Sequence, residues 1–125
     1  MQQQDSQYLV DVLHAANRIL EYIKSTSLQT FYQDVQLQDK VMRRLLSIEK
    51  AAKRISPQTR HELSAIAWSN LIGMKARLLQ EDPVIDVDQV WSITQAEIPI
   101  LVQVLDRHVL SERETNLVRI PAQKV

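Results

Sequence analysis

Apolar residues recur every three or four positions through most of this chain, which is the period of helices with one buried face. Leu9, Val12, Ala16, Ile19 and Ile23 make the first stripe, and Asn17, Arg18, Glu21 and Lys24 fall mostly outside it. Asp5 or Ser6 can cap the free N–H groups at its start. Ser25, Thr26 and Ser27 end it. In the short turn that follows, Ser27 or Thr30 caps a segment that packs Phe31 inward. Val41, Leu45, Ile48, Ala52 and Ile55 then step by four and three as a heptad-like seam. Arg43, Arg44, Glu49, Lys50 and Lys53 are left largely on the solvent side, as a hydrated charged face. Ser56-Pro57 stops this helix, because proline disfavours helical geometry in the residue before it.

A short segment around Thr59 to Ile66 leads to a third helix from about Ala67, with Trp68, Leu71, Ile72, Leu78 and Leu79 on its apolar side and an end at Asp82 before Pro83. Lys75 falls in that stripe, roughly two turns after Trp68, so its stem packs while its ammonium reaches water. Asp86 or Asp88 caps the last long helix, whose buried edge is Val87, Trp91, Thr94, Ile98, Leu101, Leu105 and Val109. Pro99 should kink it or split it in two. From Ser111 the chain turns polar and irregular, and Pro121 to Val125 reads as a loose tail.

The pattern predicts an all-α fold: a helical bundle of four principal helices with short connecting helices and no sheet. Ile19, Leu45, Ile48, Leu71, Leu101 and Leu105 should sit in its core. Residues 1–110 form the helical domain and 111–125 a polar C-terminal tail. At 125 residues the chain is long enough for one continuous core.

Composition narrows the function. Gly73 is the single glycine, which argues against sheets joined by tight turns and excludes a glycine-rich phosphate cradle. Fifteen basic residues balance fifteen acidic ones, so the basic footprint of a duplex-binding domain is missing. The absence of cysteine excludes disulfides and thiolate metal sites and suits a reducing cytoplasm. No signal-peptide pattern is present, and no apolar run approaches the roughly 18–20 residues of a membrane span. A cytoplasmic protein without a membrane partner is expected.

Few residues can carry chemistry. His14, His61 and His108 fall in different segments and never at i, i+4, so no helix offers a metal pair and no metal or cofactor is expected. Arg60-His61 and Arg107-His108 are adjacent pairs, which point about 100° apart on a helix and form no joint site. The densest cluster is Lys75-Ala76-Arg77-Leu78-Leu79-Gln80-Glu81-Asp82. Its acids lie at a helix C-terminus, where they oppose the helix dipole, so something other than helix stability would hold them there.

Three runs of residues resemble one family. The first is Phe31, Asp34, Leu37, Gln38-Asp39, Val41, Arg43, Leu45, Ile48 and Ala51-Ala52-Lys53-Arg54-Ile55-Ser56. The second is Trp68, Leu71-Ile72-Gly73-Met74, and the third Ile85-Asp86, Val90-Trp91, Ile98-Pro99 and Leu101. In one register from about Tyr8 to His108 they resemble HepT-like proteins of the HEPN superfamily of helical bundles. The resemblance implies a homodimer, a cognate MNT-type nucleotidyltransferase antitoxin, and metal-independent RNA cleavage by an arginine and a histidine. It places that catalytic pair on Lys75 and Gln80, with Arg77, Glu81 and Asp82 as substrate-binding candidates beside them.

The departures fall on the chemistry. Metal-free RNA cleavage needs a base for the 2′-OH proton and a cation for the phosphorane charge. Histidine suits the first role because it titrates near neutral pH. Gln80 has no such group, and its loss as a base would cost on the order of 10² to 10⁴ in rate. Lys75 keeps the charge of arginine but not its bidentate fork. Asp82 stands near the tyrosine that some partner nucleotidyltransferases modify with AMP, and an aspartate cannot be that phenolic acceptor. The expectation is an impaired HepT-like toxin component. A site rebuilt from Glu81 as base with Lys75 and Arg77 as clamps is one alternative, and a helical interaction module without RNA activity is another. Apolar surplus at Trp68, Trp91, Met74 and Leu79 is an independent hint of a dimer face.

Overall fold

In the computed structural model of the chain, which describes the backbone of residues 3–81 and 84–124 and the side chains of 4–79 and 84–112, three long helices form the bundle. They are α1 (Gln3–Ile23), α3 (Val35–Arg54) and α7 (Val87–Lys124), with the short helices α2 (Leu28–Gln33), α4 (Pro57–Glu62), α5 (Trp68–Ile72) and α6 (Met74–Leu78) between them. α1 packs on α3 along most of its length and on α7 with its other edge. The expected stripes are the core: Leu9, Val12, Ala16, Ile19 and Ile23 of α1 are buried with Val41, Leu45, Ile48 and Ala52 of α3 and with Ile55 just past its end. All six side chains expected at the centre, from Ile19 to Leu105, are buried.

The connectors are fixed by polar side chains. Ser27 caps α2 by accepting from Thr30 N–H, Asp34 caps α3 through Leu37 N–H, and Ser56 caps α4 through Thr59 N–H, with Pro57 in the first turn. Asp86, not Asp88, caps α7, accepting from Gln89 N–H at 3.1 Å. Buried Gln38 donates to the carbonyls of Phe31 and Tyr32 at 2.8 and 3.1 Å, which satisfies the end of α2 from α3. Tyr32 donates its phenol to Asp88. That bond, followed by partial desolvation and the charges of Asp88 and Asp86, holds the phenol above its ordinary value.

Asp5 does not cap α1. It lies in the first turn of that helix, almost fully buried, and accepts from Ser56 N–H, Ser56 Oγ and Thr59 Oγ1 at 3.0, 2.6 and 2.7 Å. It therefore pins the α3–α4 corner to the beginning of the chain.

The third predicted helix differs most. Instead of running to Asp82 it breaks at Gly73 into α5 and α6 and gives way to a two-stranded antiparallel hairpin, β1 (Leu79–Glu81) with β2 (Val84–Ile85). Leu79 pairs with Ile85 and Glu81 with Val84, with an irregular register between them. The expectation of no sheet is therefore corrected at this one hairpin, although the fold remains an all-α helical bundle. The physical reason lies in β-branched Val84 and Ile85 directly after a proline, which favour extended backbone over helix. Asp86 N–H closes the hairpin onto Leu78 O at 2.8 Å.

Of the two outcomes expected at Pro99 the split is absent, and one further expectation is corrected along α7. Pro99 does not split it, because Pro99 and Gln95 lie on the exposed face and the carbonyl that loses its proline partner is open to water. The helix also runs on to Lys124 where an irregular tail was expected. Glu112, Arg113, Glu114 and Leu117 are good helix formers, and Pro121 falls only within the last turns.

The apolar surplus read as a hint of a dimer face is largely packed within the chain. Met74 and Trp68 are buried, and Trp68 donates its indole N–H to Leu63 O at 3.0 Å. Trp91 packs on Phe31 with ring centroids 5.3 Å apart, and Leu79 is half-buried against the core.

Candidate active site

The position of Lys75 begins with the break at Gly73. Glycine in a helix interior weakens it by about 1 kcal/mol relative to alanine, and a helix that restarts must cap its free N–H groups. Gly73 has no side chain to do this, and the cap comes from α3. Glu49 Oε1 accepts from Lys75 N–H at 3.0 Å, the donor that would have bonded Leu71 O in an unbroken helix. Glu49 Oε2 pairs with Lys53 Nζ at 3.2 Å, one turn along α3.

Glu49 is buried, which corrects its assignment to the solvent side. It lies four residues after Leu45 and beside Ile48, so it borders the seam instead of opposing it. The acid therefore sits at the junction of α3 and α6, and the side chains of Lys75 and Lys53 are exposed above it. The three residues line an open groove of about 480 Å³, floored by Ile72, Gly73, Ala76 and Leu79. Sequence reasoning missed Glu49 and Lys53 as site residues. Their signal was the i, i+4 pairing of opposite charges, read there as a hydrated face.

Arg77 is placed elsewhere. Two residues beyond Lys75 it projects roughly 200° around the helix, and its guanidinium meets Glu97 of α7 through two contacts of 3.2 and 3.4 Å. A further contact of 3.4 Å reaches Asn70 O. Lys75 and Arg77 thus do not form a common clamp. Arg77 is a strut between α6 and α7. Because the pair is partly exposed, Arg77→Met should lower stability by about 0.5–1 kcal/mol, whereas Lys75→Met should stay within about 0.5 kcal/mol of the parent. Urea unfolding of both variants checks this, and equal costs would remove the distinction.

Gln80 and Glu81 contribute backbone to β1, and their side chains lie outside the described residues, as does Asp82 altogether. One requirement for Lys75 and Gln80 to converge is nevertheless met. Five helical residues would leave them roughly 140° apart, but α6 ends at Leu78, between the two.

No histidine lines the groove around Lys75. His14 and His61 are exposed on α1 and α4, and His108 lies on α7, 3.4 Å from Glu112. Among the described residues no group of three or more potential ligands could hold a metal ion. No helix among them is long and apolar enough to cross a membrane.

Comparison with known proteins places this arrangement. The family described as "Ribonuclease HepT-like" matches residues 12–108, a span that includes α3, the Gly73 break, the hairpin and the first half of α7. This chain belongs to the HepT-like ribonuclease family. Over 101 residues it is 27% identical to the "Probable ribonuclease HepT" of Thermococcus cleftensis, covering 81% of this chain and 92% of that protein. A protein of Caldanaerobacter subterraneus subsp. tengcongensis named as a candidate RNase is 28% identical over 75% of this chain and 84% of its own length. Another candidate RNase, of Methanocaldococcus jannaschii, is 25% identical over 74% and 84% respectively. No solved structure matches the chain significantly. Within the HepT-like family, the groove beside Glu49, Lys53 and Lys75 is the described surface next to the motif the resemblance assigns to catalysis.

Proposed function

We propose that the chain is the toxin-type component of a HepT-like toxin–antitoxin pair, partnered by a minimal MNT-type nucleotidyltransferase, with RNA as the ligand of the Lys75 groove and with cleavage impaired. The observation that carries this reading is the groove itself. Lys75 presents an exposed ammonium group beside the Lys53–Glu49 pair, which suits a phosphodiester because charge attraction survives loss of a catalytic base, and among the described residues no histidine stands with it. The described carboxylate, Glu49, already accepts from Lys75 N–H and pairs with Lys53, so it acts as a positioning residue that holds α6 in place.

The partner is tested by expressing the chain with a minimal nucleotidyltransferase encoded next to it. A stable complex supports the pair, and independent purification of the two opposes it. Purification of the chain without any RNA affinity would favour the helical interaction module instead.

The homodimer belongs to the same proposal and rests on the family. The exposed apolar side chains, among them Val35, Val84, Ile100 and Leu110, are spread over several elements and add no single face. Light scattering at micromolar concentration is expected to give twice the chain mass of 14.5 kDa. A monomer would overturn this part of the reading.

A further inference from the structure

α3 carries cations on two sides, and the two sides differ in how the charge is met. Toward α6, Lys53 is matched by Glu49. Toward α1, Arg44, Lys50 and Arg54 border a groove of about 460 Å³ shared with Tyr8, Asp11 and His14. The three cations span about 15 Å along the helix axis, on the side that borders the groove.

Among the described residues none of the three makes an ion pair. Arg54 lies over the ring of Tyr8 at 6.0 Å from its centroid. Asp11, the single carboxylate of the groove, accepts from Gln7 Nε2 at 3.0 Å. Lys50 and Arg54 stand at i, i+4, where like charges repel, and the helix dipole favours Arg54 in the last turn of α3. A chain with equal numbers of acids and bases thus gathers unmatched positive charge in one concave place, where field lines concentrate.

We propose that the α1–α3 groove holds the phosphodiester backbone of a single-stranded nucleic acid, as an anchoring surface separate from the Lys75 groove. Spaced cations in a channel track a backbone without demanding a sequence. A second copy of the chain is a poor occupant, because a two-fold contact here would set these cations against their own equivalents. The proposal shares with the ribonuclease reading only the class of ligand, and a strand without 2′-OH groups separates binding from cleavage.

The test is fluorescence anisotropy of a labelled single-stranded DNA of about 12 nucleotides, titrated with the full chain at several salt concentrations. Arg44→Gln with Lys50→Gln should weaken binding about tenfold and flatten the salt dependence by about 1.4 in log–log slope, about 0.7 for each phosphate contact. The control, Lys24→Gln with Arg107→Gln, removes the same charge at exposed positions away from the groove and should change affinity less than about twofold. Should the double variant misfold, Lys50→Gln alone should flatten the slope by about 0.7. Equal losses in both double variants would mean diffuse attraction and overturn the groove. So would failure of the unaltered chain to bind, or binding of polyglutamate in place of the oligonucleotide, which would assign the surface to an acidic protein.

Discussion

The Lys75→Arg, Gln80→His double variant is expected to cleave RNA at neutral pH without metal at least about 10²-fold faster than the unaltered chain, the lower end of what a positioned general base supplies. Histidine would provide the proton acceptor that glutamine lacks, and arginine would add a planar fork to the charge that lysine already presents. Geometry permits the pair to work together, because α6 ends at Leu78 and Gln80 no longer follows the helical rotation that would turn it away. Position 75 is anchored independently of its side chain, through the bond from its backbone N–H to Glu49, so the substitution should leave the groove standing. Single-turnover cleavage of a labelled RNA in the presence of chelator measures the effect. Robust cleavage by the unaltered protein, abolished by Glu81→Gln, would establish the rebuilt site and sink the impaired one.

Much of the bundle was legible because burial follows the helical period. The stripe from Leu9 to Ile23 and the seam from Val41 to Ile55 are the observed core of α1 and α3, and the caps at Ser27 and Asp86 are where short polar side chains precede apolar steps. The failures share a cause. Glu49 looks like a surface acid and Asp5 like a helix cap when only their own helices are considered, yet each is buried because it satisfies backbone donors on another element far away in sequence, Lys75 and Ser56 respectively. Periodicity contains nothing about such partners. The hairpin was missed for a related reason: two residues of Val84–Ile85 give too short a run for a period of two to be read against the helical pattern around it. Around the candidate site, sequence alone singled out Lys75 as a candidate, while the company it keeps, with Lys53 and Glu49 near and Arg77 turned toward Glu97, emerged only from tertiary packing.

Replacing Asp5 by alanine should destabilise the chain by about 3 kcal/mol, because it removes the acceptor of three hydrogen bonds to a charged group and strands Ser56 N–H in a part-buried corner. On a chain of this size that corresponds to a fall in Tm of about 10 °C. Ser56 also caps α4, so loosening it should fray the α3–α4 corner first, seen as faster amide exchange at Thr59 and Arg60. The same contacts set a pH dependence. Burial alone would raise the Asp5 carboxyl, but the hydrogen bonds from the Ser56 side chain, the Ser56 backbone and Thr59 outweigh it and hold the group below its ordinary value. A carboxyl whose folded pKa is depressed contributes stability that is present above its unfolded value of about 3.9 and disappears as pH falls through the folded value. Asp5→Asn keeps the shape without the charge, so its deficit against the parent should be constant between about pH 5 and 7 and shrink below about pH 4. Urea titrations of parent and Asp5→Asn across that range decide the matter. A deficit that stays the same down to pH 3 would show that the charge of Asp5 contributes nothing to the corner.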